Sequence, residues 1–112
     1  MQLICGSQQN FNLMMQFCTL NNLTPVQRES KNLLENRMRY LHLLKDCDEL
    51  VVYNYNGYIG ASSTAEIALA LSWGKKVSYV FDFPLEDDVK CLHQFFDAQA
   101  HIFNMEHMVI LD

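Results

Sequence analysis

A chain of 112 residues, half of them apolar and 19% charged, has room for one hydrophobic core and little beyond it. Its net charge is −5, with eight Lys plus Arg against thirteen acids, so it lacks the basic balance a nucleic-acid polymer demands of its partner. No apolar run approaches the ~20 residues of a membrane helix, and the first residues read as a strand rather than a signal peptide. A single cytoplasmic domain is the expectation.

Leu3-Ile4-Cys5 is a short apolar run that stops at Gly6-Ser7 and predicts a buried first strand. Phe11, Met14, Met15, Cys18 and Leu20 then repeat at helical spacing over residues 9–20. Leu23 to Gln27 is a weak second strand, placed at a sheet edge by Pro25. Residues 30–45 predict a helix capped by Ser30, with Leu33, Leu34, Met38, Leu41 and Leu44 on its inner face. Its charges, Arg37, Arg39 and Lys45, continue a basic run from Arg28 and Lys31 that reads as a solvated face.

Glu49 to Asn54 has a continuous apolar centre and predicts a parallel strand covered on both sides. Residues 54–61 form a glycine-containing loop with Tyr55 and Tyr58, and Ser62 to Trp73 a helix stopped by Gly74. Lys76 to Phe81 is the next strand, and residues 85–98 the last amphipathic helix. Residues 101–112 are apolar enough for a final strand or for a tail that covers a partner. Strands alternating with helices predict a flavodoxin- or Rossmann-like open parallel sheet of four or five strands, with helices on both faces.

In such sheets ligands bind outside the carboxyl ends of the strands. That rule brings Gly6, Ser7, Asp82 and the loop from Asn54 through Gly57, Tyr58 and Gly60 to one end. It sends Asp46 and Asp48 to the other end, in structural roles. The four cysteines have no C-x-x-C spacing and the four histidines no ligand spacing, so no metal and no other cofactor is implied. Reduced, mostly buried thiols follow. Neither G-x-G-x-x-G nor a Walker-type phosphate loop is present. Tyr53, Tyr55 and Tyr58 suit stacking on a base or plain packing equally.

The run Ser62-Ser63-Thr64-Ala65-Glu66 carries two readings. In one, Ser63 caps the helix and Glu66 reaches back to its amide, a capping box. In the other, Glu66 stands in the first turn, aimed into the cleft. The helix dipole then keeps it ionised as a nucleophile, while Ser62 and Ser63 add donors to an anion-binding helix start.

Cys5-Gly6-Ser7, together with Glu66-Ile67-Ala68-Leu69-Ala70-Leu71-Ser72-Trp73-Gly74-Lys75, resembles the nucleoside 2-deoxyribosyltransferase superfamily, which includes deoxynucleoside monophosphate N-glycosidases. Gly57 to Ile67 fits a G-Y-I-G-x-S-T-x-x-E-I pattern of one bacterial branch, with Ser63 in the Thr place. The resemblance spans most of residues 1–83 and implies that Glu66 attacks C1′ of a deoxyribose. A glycosyl-enzyme ester would form, to be resolved with retention by water or by a second base. It further implies that Gly6 and Ser7 line the sugar and phosphate, with Ser62 and Ser63 nearby. Characterised members carry an Asp upstream of the nucleophile; the corresponding place here, near Tyr40 or His42, has no acid.

The expectation is therefore a nucleoside or nucleotide N-glycosidase or deoxyribosyltransferase. Its alternative is a non-catalytic nucleotide-binding or sensor domain using the same cleft. The apolar run Ile102, Phe103, Met105, Met108, Val109, Ile110 and Leu111 adds the expectation of a homodimer or higher homo-oligomer.

Overall fold

Three apolar stretches, rich in β-branched residues, build the centre of the molecule because each can be buried on both faces. The computed structural model of the protein describes residues 1–23 and 32–104. Its strands β1 (Gln2–Gly6), β2 (Glu49–Tyr53), β3 (Lys76–Tyr79) and β4 (His101–Ile102) form one open sheet in that order, every pair parallel. All five residues of β2 are buried.

Alternation along the strands sends side chains to two cores. Leu3, Cys5, Leu50, Val52, Val77 and Tyr79 form one face. On it lie α2 (Leu33–Asp46), α3 (Ala61–Ser72) and α4 (Asp87–Phe95), through residues such as Leu44, Ile67 and Val89. Ile4, Val51, Tyr53 and Val80 form the other, packed with Met14, Phe17 and Cys18 of α1 (Phe11–Leu20). The fold is thus a Rossmann-like α/β sheet with helices on both faces. In register, Cys5 pairs with Val52 and Val52 with Tyr79, so one row crosses the sheet beneath α3.

Local chemistry sets the element ends. A 3-10 turn over Gln8–Asn10 leads into α1. Asn32 caps α2, its Oδ1 accepting from Leu34 N at 3.0 Å and Glu35 N at 3.3 Å. Gly74 stops α3 as expected. At φ 71° it closes a Schellman turn, with Gly74 N donating to Leu71 O at 3.0 Å and Lys75 N to Ala70 O at 2.9 Å.

One expectation about α2 is corrected. Leu34, Met38 and Leu41 face outward, and the buried line is Tyr40, Leu44 and Cys47 with Leu43 beside it. The helix is rotated by roughly a quarter turn from the aliphatic stripe. Burying Tyr40 gives its hydroxyl a partner inside the fold, which no leucine needs. The expected second strand and the Ser30 cap involve residues 24–31, and most of the C-terminal run involves residues 105–112; both lie outside the described residues. Of that run, His101–Ile102 is the short strand β4. Among the described residues no helix is long and apolar enough to cross a membrane.

Candidate functional site

Helix α3 starts at Ala61, behind Gly60 as N-cap in extended conformation. Gly60 O accepts from both Thr64 N and Thr64 Oγ1, at 2.9 Å each. This start decides where the serines and Glu66 stand in the helix. Ser63 lies within the helix and is buried, so no Ser63–Glu66 capping box forms. Glu66 stands in the second turn rather than the first, away from the free amides of the helix start. Glycine takes the cap position here, and the helix begins ahead of the serines.

Glu66 instead faces the sheet. Tyr40 of α2 donates its hydroxyl to Glu66 Oε2 at 3.1 Å. The buried Cys5 thiol, at the carboxyl end of β1, lies close enough to Glu66, Tyr40 and Ser63 to interact with all three electrostatically. Three elements of one face thus converge on a single carboxylate. Tyr40, Cys5 and Ser63 are all nearly inaccessible to solvent, while Glu66 is partly exposed.

The electrostatics follow from this geometry. Burial pushes the Glu66 carboxyl up to about 7, against the opposing pull of hydrogen bonds from Tyr40 and Cys5. The expected ionised carboxylate held by the helix dipole is therefore corrected: desolvation outweighs the donors. Burial, with Cys5 and Glu66 as negative neighbours, raises the Tyr40 phenol far above its usual range. Burial and Glu66 do the same to the Cys5 thiol. Near neutrality the site holds a carboxyl close to its midpoint between two groups that keep their protons. Such a group exchanges a proton with little driving force either way.

The other expected residues divide. Gly6 serves the opposite face: a Cβ there would stand 2.9 Å from Met14 Sδ and 3.3 Å from Tyr53 O, so glycine lets α1 close on the sheet. Ser7 opens the following turn, its Oγ accepting from Gln9 N at 3.2 Å and its carbonyl from Asn10 N at 3.1 Å. Asn54 is fully committed as a latch between strand ends. Its Nδ2 donates to Phe81 O and its Oδ1 accepts from Phe81 N, both at 2.9 Å. Gly57 adopts φ 79° and packs against Phe83. Tyr58, Gly60 and Ser62 remain at the rim of α3, with the Tyr58 ring folded over Gly60.

Tyr53 belongs to the core, 5.4 Å from the Phe17 ring, and Tyr55 packs on Tyr53 and Phe81. Of the three tyrosines only Tyr58 is exposed. His93 is a core residue: Tyr79 Oη lies 2.6 Å from its Nε2, and its Nδ1 lies 3.0 Å from Ala98 O. The carbonyl fixes Nδ1 as donor in the neutral ring, which leaves Nε2 to accept from Tyr79. Cys5, Cys18 and Cys47 are buried free thiols and Cys91 is exposed. Among the described residues no His, Cys, Asp or Glu cluster could hold a metal.

Sequence reasoning missed Tyr40 and undervalued Cys5. Tyr40 gave no periodic signal of its own inside α2, yet its phenol reaches the glutamate. The signal for Cys5 was the strand period, which puts it on the face α3 covers. Set against protein-family models, curated proteins and solved structures, the chain matches none of them.

Proposed function

We propose that this protein is a nucleoside or nucleotide N-glycosidase or 2-deoxyribosyltransferase in which Glu66 is the nucleophile. The observation that carries the reading is the Tyr40–Glu66 hydrogen bond beside Cys5, at the carboxyl end of the parallel strands. Tyr40 and Cys5 are positioning residues. Tyr40 engages Oε2 and orients Oε1 for attack on C1′ of the sugar.

As Oε1 bonds to C1′, the glycosidic C1′–N bond breaks and its electron pair leaves with the base, which takes a proton from water. The product is a glycosyl ester of Glu66. Water then bonds to C1′, the ester bond breaks, its electron pair returns to the Glu66 carboxylate, and the proton passes to solvent. A second base in place of water makes the reaction a transfer. Two displacements give net retention. The raised carboxyl favours a reaction that switches on through neutrality.

A second reading, a nucleotide-binding or sensor module, is supported by the electrostatics of Glu66. Burial raises its value while Tyr40 and Cys5 oppose the rise, and the sequence places no acid near Tyr40 or His42 to act as general acid. We also place the protein in a reducing compartment such as the cytoplasm, in keeping with three buried free thiols, and expect a homo-oligomer.

The test incubates the protein with 2′-deoxynucleosides and their 5′-phosphates and separates the products by chromatography. Released base that disappears in Glu66→Gln supports the enzyme. Ligand-induced thermal stabilisation without release, retained in Glu66→Gln, supports the sensor. Neither release nor stabilisation removes both readings.

A further inference from the structure

The turn between α4 and β4 is made by Asp97 at φ 49°, a left-handed conformation that is unfavourable for a residue with a side chain. Two backbone bonds close it, Asp97 N donating to Gln94 O at 3.2 Å and Ala98 N to His93 O at 2.9 Å. The His93 ring adds a third tie. Its Nδ1 lies 3.0 Å from Ala98 O, and its Nε2 lies 2.6 Å from Tyr79 Oη on β3. One buried imidazole thus pins the turn to the sheet. Beyond the turn, β4 has only two residues, and Phe103 N donates to Tyr79 O at 2.9 Å. So short an edge strand depends on the turn that delivers it.

Both ring nitrogens are engaged in a way that suits one protonation state. Nδ1 donates to a carbonyl, and Nε2 accepts the Tyr79 phenol proton. A proton added at Nε2 turns that acceptor into a donor. Tyr79 must then accept, and its own proton loses its buried partner. We propose that His93 is an acid-released latch, whose protonation frees the turn over residues 96–100 and with it the edge strand β4.

The surroundings favour the neutral ring. Burial holds the His93 value below the ordinary 6.5, helped by His101 of β4 and opposed by the Ala98 carbonyl. On the sheet side, Tyr79 and the Cys5 thiol both keep their protons and offer no negative charge. The acids Asp87 and Asp88 lie in the first turn of α4, whereas His93 lies in its last. Glu66, the one titratable residue of α3, is held by Tyr40. An open groove lined by Lys90, His93, Gln94 and the exposed Asp97 gives solvent protons access to the ring. Once released, the ring titrates at its ordinary value. The latch is therefore at full strength above 6.5 and weakens as pH falls below it. It is independent of the activity proposed for Glu66.

Hydrogen exchange followed by NMR on the full chain, corrected for the pH dependence of intrinsic exchange, tests it. From about pH 7.5 to about pH 5.5 the Ala98 and Phe103 amides lose protection by roughly five- to tenfold, while those of β2 keep theirs. His93→Gln binds no proton and abolishes this pH dependence; His101→Gln retains it. Titration of the His93 ring in the wild type needs no variant to fold. It gives a midpoint below 6.5 and nitrogen shifts of the Nδ1–H tautomer. Protection of the turn that does not change with pH overturns the proposal, as does a pH dependence that survives in His93→Gln or vanishes in His101→Gln. A His93 ring that titrates at or above its ordinary value, or that carries its neutral proton on Nε2, overturns it equally.

Discussion

Glu66 shows how one side chain's surroundings reverse the expectation drawn from its position on the chain. Near the start of a helix a carboxylate is stabilised by the dipole, but one turn deeper, against the sheet, it loses water and holds its proton to about 7. The sign of the stability effect follows. The folded value lies above the ordinary 4.5, so the folded state binds a proton that the unfolded state has released. This contribution is complete below the ordinary value and is lost as pH rises through about 7. Glu66→Gln escapes that loss. Urea unfolding will find the variant equal to wild type near pH 4.5 and more stable at pH 8, by about 1–3 kcal/mol after allowing for partial exposure. A difference independent of pH contradicts the assignment.

Tyr40 acts in the opposite direction. Its hydrogen bond lowers the Glu66 value, so Tyr40→Phe raises it. The acid limb of any glycosidase pH profile then moves upward from about 7 while the alkaline limb stays. An unmoved limb makes Tyr40 a packing residue only. Glu66 was readable from the sequence as the residue of interest. Its partner was not, because a tyrosine inside an aliphatic-looking helix gives no periodic signal of its own.

Among the elements, nearly every helix and strand was legible in the sequence, but two orientations were not. In α2 the expected line held at Leu44, whereas Leu34, Met38 and Leu41 face outward and Tyr40 and Cys47 join Leu44 on the inner face. Hydrophobicity alone cannot rank a leucine stripe against a mixed stripe whose hydroxyl finds a buried acceptor. In α3 the serines suggested a cap, whereas Gly60 provides it and adds residues to the helix start. Both errors concern rotation or phase of a helix, which depend on tertiary partners, and neither concerns its existence.

The strand ends are held by chemistry that can be tested at single positions. Asn54→Ala removes two hydrogen bonds to the Phe81 backbone in a buried setting. It should cost about 2–4 kcal/mol in chemical denaturation. Gly57→Ala meets both a left-handed φ of 79° and the Phe83 side chain at 3.3 Å. A cost of about 1–3 kcal/mol is expected, and a neutral effect would show that the turn relaxes.

For the molecule as a unit, the parallel sheet was the most readable feature. The unbroken apolar run of β2 is accounted for by burial on both faces, and the alternation of strands with helices fixes parallel pairing. The same architecture positions the site, since the carboxyl end of β1, the second turn of α3 and the middle of α2 can meet only on one face. The sequence did not reveal that several loop residues chosen as ligand contacts have work within the fold itself. Gly6 admits α1, Ser7 opens a turn and Asn54 ties β2 to β3. Loop glycines and polar residues look alike whether they face a ligand or their own backbone.

The proposed chemistry requires that Glu66 bond to a sugar carbon. Intact-protein mass spectrometry after incubation with 2′-fluoro-2′-deoxynucleosides detects that bond itself. One added fluorosugar mass is expected, located by peptide mapping on Glu66, forming faster at pH 8 than at pH 6 and absent in Glu66→Gln. An unchanged protein mass across purine and pyrimidine analogues, or an adduct mapped to any other residue, contradicts it.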